Sequence, residues 1–75
     1  MSEKLPAVKP KQLIRALEEK GWKLDRIRGS HHILVHEAER RALPVPVHNR
    51  ELKTGTLAAI LRIAGISREE FRKLL

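Results

Sequence analysis

The sequence predicts an α+β domain: a helix, three antiparallel strands, a second helix and a short third, with the helices on one face of the sheet. Three observations carry this. Apolar residues recur at helical spacing toward both ends of the chain. Alternating runs fill the middle, two of them joined by a Gly-Ser pair that reads as a tight hairpin turn. A chain of 75 residues holds one small domain.

The elements follow in order. Residues 1–9 are polar with Pro6 and read as a flexible tail of a single domain spanning 1–75. Pro10 suits the first turn of a helix and Gly21 its C-terminal cap. Between them Leu13, Ile14, Ala16 and Leu17 form an apolar stripe. Two alternating runs come next, Trp22 to Arg28 and His31 to His36, separated by Gly29-Ser30. Glycine supplies the positive φ of a type II′ turn.

A two-residue hairpin fixes the register. It sets Arg28 opposite His31, Arg26 opposite Ile33, Leu24 opposite Val35 and Trp22 opposite Glu37. One face then carries Trp22, Leu24, Ile33 and Val35 and is expected to pack on the helices. Toward the turn that face becomes Arg26, Arg28 and His31. The other face takes His32, Leu34 and His36, so the two adjacent histidines are expected to point apart.

A third run, Arg41 to Val47, has Leu43, Val45 and Val47 on one side and Pro44 and Pro46 on the other. Proline lacks the ladder N–H, so this reads as an edge strand. Leu57, Ile60, Leu61 and Ala64 then predict a helix over 54–64, capped by Gly65. Ser67 and Glu70 form a capping-box pattern that opens a last helix through Leu75.

The net charge is +7, which points to a polyanion or an acidic protein as partner. Only Trp22 and Phe71 are aromatic, which argues against a sheet that stacks bases on rings and leaves contacts with phosphates and RNA shape. The chain has no cysteine, which fits a reducing, cytoplasmic setting. No apolar run approaches a membrane span or a signal segment.

Three chemistries are open to the histidines. His32 and His36 share a strand face but lie four residues apart, too far for a compact strand metal site. Ser30 beside His31 lacks the strand–elbow–helix setting of a nucleophilic serine and reads as a turn residue. Acid–base cleavage of RNA requires less. The ribose 2′-OH is an internal nucleophile, imidazole suits either proton step near neutral pH, and a guanidinium stabilises the charged phosphate. On these features alone, a histidine that merely ends a strand at a turn stands beside the ribonuclease reading.

Taken together, the chain resembles the HicA toxin family, from about Pro10 to Leu74. The pieces are LEEKGW at 17–22, RGSHHIL at 28–34, VPVH at 45–48 and ELKTGTLAAILRIAGIS at 51–67. The resemblance implies a fold similar to a double-stranded-RNA-binding domain and a metal-independent endoribonuclease that cleaves mRNA without a cofactor. It also implies an acidic HicB-type antitoxin that masks the active site. The family's catalytic histidine falls on His31, with Gly29 and Ser30 shaping the turn and Arg28 in support. His48 matches the family's Pro-x-His, as a phosphate holder, a second proton group or a structural residue. Arg26, Arg28, Arg50 and Lys53 become candidates for RNA phosphates, against the reading that they are simply solvated; Arg40 and Arg41 read as solvated. The alternative reading is a non-catalytic RNA-binding module on the same scaffold.

Overall fold

A computed structural model of the protein describes residues 4–75. Helix α1 spans Pro10–Glu19, and strands β1, β2 and β3 span Trp22–Arg28, His31–His36 and Arg41–Pro46. Helices α2 and α3 span Thr54–Ala64 and Arg68–Leu74. The strands form one antiparallel sheet in the order β1-β2-β3. This is the predicted α+β architecture, consistent with the arrangement of a double-stranded-RNA-binding domain.

Helix α1 opens on a buried Pro10 and buries Leu13, Ala16 and Leu17. It stops at Gly21, whose φ is +97°. Two constraints meet there. The left-handed conformation disfavours any Cβ, and a Cβ would lie 2.7 Å from Nε2 of His36. Trp22 follows at once, 1% exposed, in the core.

The sheet corrects the expected register. The pairs Arg28–His31 and Arg26–Ile33 form as predicted, but Leu24 then pairs with Leu34 and Trp22 with His36. Between Arg26 and Leu24 strand β1 spends two residues against one of β2, a β-bulge at Asp25. A one-residue slip moves every later side chain to the opposite face. The helix-packed face therefore carries Trp22, Leu34, Leu43 and Val45, all buried. Ile33 and Val35, expected in the core, are half-buried on the other face. Leu24 lies on the edge strand and is 46% exposed. Strand β3 keeps its predicted parity: Leu43 and Val45 inward, Pro44 exposed on the bare side.

Against the inward face sit Leu13 and Leu17 of α1, Leu57, Ile60 and Leu61 of α2, and Phe71 of α3. Of the stretch read as a tail, Val8 is 1% exposed in this core, and its carbonyl accepts from the Leu52 N–H at 2.9 Å. Residues 1–3 lie outside the described residues. Half of the expected capping box forms on α3. Ser67 Oγ accepts from the Glu70 N–H at 3.0 Å, while the Glu70 carboxylate turns to Lys20 at the end of α1.

Candidate functional site

Arg28 and His31 close the β1–β2 ladder as cross-strand partners, and both are exposed. Between them Gly29 has φ +59°, while Ser30 is not among the positive-φ residues, as a type II′ turn requires. The Ser30 carbonyl accepts from the Val47 N–H at 2.7 Å. That bond ties the far end of β3 to the turn, and the residues following its two members are His31 and His48.

Across β2–β3, His31 pairs with Pro46. His48 lies two places beyond Pro46 and takes the same parity, because Val47 between them packs against the core. The Cα atoms of His31 and His48 are at most about 13 Å apart, from one cross-strand step and two residues of chain. Pro46 and His48 line a groove of about 550 Å³ whose other walls are residues 49–53 and Thr56. Arg50 and Lys53 lie in that lining, together with the Glu51 carboxylate.

Five of the predicted residues thus come together at one corner: Arg28 and His31 at the turn, and beside them His48 with the groove cations Arg50 and Lys53. Arg28, Arg50 and Lys53 make no ion pair among the described residues. Arg26 differs, since its guanidinium is held by Asp25 at 2.6 Å. Arg40 and Arg41 lie at the opposite end of the sheet, both exposed, and Arg41 lies 3.6 Å from Glu39.

The bulge changes which face this corner belongs to. The expected site capped the helix-packed face. In the structure Arg28, Arg26 and His31 share parity with Ile33 and Pro44, on the face that no helix covers among the described residues. An extended polyanion can approach it along the whole width of the sheet.

The other two histidines belong to the fold. His32 lies on the helix side between Ile27 and Val45, and its Nδ1 is buried without a hydrogen-bond partner among the described residues. His36 Nδ1 accepts from the Glu39 N–H at 3.4 Å, and its Nε2 lies 3.0 Å from the Lys20 carbonyl. Those roles require the neutral tautomer protonated at Nε2. Its ring meets Trp22 edge-on at 5.3 Å. The structural use of His36 escaped the sequence reading; the signal was Gly21-Trp22, a residue without Cβ beside a large buried ring. Among the described residues no three His, Asp or Glu side chains gather as a metal site.

A family model described as the HicA toxin of bacterial toxin–antitoxin matches residues 10–66. The chain belongs to the HicA toxin family. Comparison with curated proteins gives no match. The HicA match spans α1, the whole sheet, the His31 turn, the His48 groove and α2, and stops short of α3. As a member of a toxin–antitoxin family, this HicA chain has an antitoxin as partner. No helix among its described residues is long and apolar enough to cross a membrane.

Proposed function

We propose that this HicA-family toxin is an endoribonuclease that cleaves mRNA in the cytoplasm by histidine acid–base catalysis, without a metal or other cofactor. The observation that carries the reading is the corner itself: an exposed imidazole, His31, beside the Arg28 guanidinium on an uncovered sheet face, with His48 tied next to it by the Ser30–Val47 hydrogen bond.

The 2′-oxygen forms a bond to phosphorus as the bond to the 5′-oxygen breaks. One proton leaves the 2′-OH and one arrives at the departing 5′-oxygen, giving a 2′,3′-cyclic phosphate and a free 5′-OH. His31 performs one of these transfers, and we assign the other to His48. Arg28 stabilises the equatorial oxygens of the crowded phosphorus, and Arg50 and Lys53 hold neighbouring phosphates. The same cations suit an acidic HicB-type antitoxin, whose docking here would exclude RNA.

The test is RNA incubated with the purified protein in EDTA, with end-group analysis. New 2′,3′-cyclic phosphate ends are expected. Salt-dependent binding without such ends would give the non-catalytic module instead, and cleavage lost in EDTA and restored only by added metal would overturn the metal-free mechanism.

A further inference from the structure

We propose that a second basic groove, on the other side of His48, carries the RNA strand beyond the scissile phosphate, with Lys9 and Lys11 on its phosphates. This rests on the reading of the His31 corner as an RNA-cleaving site. The groove encloses about 520 Å³ between the start of α1 and the segment after β3, and Lys9, Lys11, Gln12, His48 and Asn49 line it. Its size falls in the range of sites for drug-sized ligands, ~300–1,000 Å³, room for roughly a nucleotide.

Two observations assign it to a nucleic-acid strand. First, His48 and Asn49 line both this groove and the one holding Arg50 and Lys53. The two channels, of similar volume, thus adjoin at His48 and Asn49, so a strand lying over His48 has a basic channel on each side. Second, the charge is unopposed. Lys20, Lys23, Arg26 and Arg41 are each held by a carboxylate. Among the described residues Lys9 and Lys11 make no ion pair and no acidic side chain lines their groove, whereas Glu51 lines the other. Free ammonium groups on a wall without carboxylates favour phosphates, and the Asn49 amide offers a donor and an acceptor to a 2′-OH or a base edge.

The experiment compares wild type with the double variant Lys9→Gln/Lys11→Gln. Both side chains are exposed, and a thermal melt checks that the fold is kept. The substrates are a dinucleotide and a single-stranded 20-mer RNA. On the 20-mer the variant should raise KM about tenfold, near the upper worth of two surface charge pairs, with kcat unchanged. On the dinucleotide, too short to enter the second groove, both constants should match wild type. The dependence of log affinity on log salt should become shallower by about 1.4, or 0.7 per phosphate released from a single strand.

A matched charge loss elsewhere, Arg62→Gln/Lys73→Gln, should leave these values at wild type. Equal KM on the 20-mer for wild type and variant, equal losses on both substrates, or the same slope change in the matched control would each overturn the proposal. If wild type binds RNA but cuts neither substrate, the cleavage reading fails while the salt slope still decides the groove. Wild type that binds no RNA removes both.

Discussion

One position along β2 separates two histidines with opposite surroundings. His31 is exposed beside Arg28; His32 turns toward the helices with a buried Nδ1 that has no partner among the described residues. A buried polar atom without a partner costs about 1–3 kcal/mol. Replacing His32 with Leu removes that cost and keeps an apolar side chain between Ile27 and Val45. The expected outcome is unchanged or higher stability, by up to about 1 kcal/mol in denaturant unfolding, with RNA cleavage retained. Lost cleavage in a folded His32→Leu protein would make the pair one site after all. The split of the doublet was readable in the sequence because strand alternation follows directly from backbone geometry.

At the scale of the elements, the bulge at Asp25 decides what is core. Leu34→Ala should cost about 2–5 kcal/mol, as for a fully buried leucine, and Leu24→Ala less than about 1 kcal/mol, as for a half-exposed one. An in-phase hairpin predicts the reverse ranking, so two denaturation curves distinguish them. Every strand and helix was visible in composition and period, and the register held from the turn to Arg26. It failed at Asp25 because a bulge has no period of its own. Trp22, Leu24, Arg26 and Arg28 alternate without a break, and only competition for the core shows that Trp22 and Arg28 must part. The same failure put both Arg28 and His31 on the wrong face, while their pairing with each other was correct. Contacts between distant segments, such as the Val47 N–H on the Ser30 carbonyl or Val8 in the core, left no local signal.

The third helix is clasped to the first by a pair of charges. The Lys20 ammonium, hydrogen-bonded to the Glu70 carboxylate, holds that carboxylate's pKa below its ordinary value. A depressed acid contributes stability above its unfolded pKa and loses it as pH falls through the folded one. The melting-temperature difference between wild type and Glu70→Gln should therefore be present at neutral pH. It should fade below the usual carboxylate value of 4.5. A difference that persists unchanged into strong acid would mean that the pair does not clasp α3.

For the whole molecule, the sheet divides the labour. One face is covered by three helices and supplies the core; the bare face ends in Arg28, His31 and His48, beside Arg50 and Lys53, cations that make no ion pair among the described residues. The bulge lets one strand serve both faces, with Trp22 inward at one end and Arg28 outward at the other. On the proposed function, toxicity rests on this exposed corner, and an antitoxin docked on the bare face would cover it while leaving the core on the other face untouched. The most direct measurement is the mRNA-cleavage rate of His31→Ala, taken with its melting temperature and its effect on growth. Loss of a general acid or base typically costs about 10²–10⁴-fold. A fall of that size, with growth arrest abolished and the melting temperature within a few degrees of wild type, is the predicted result. A folded His31→Ala protein that cuts mRNA at the wild-type rate would contradict it.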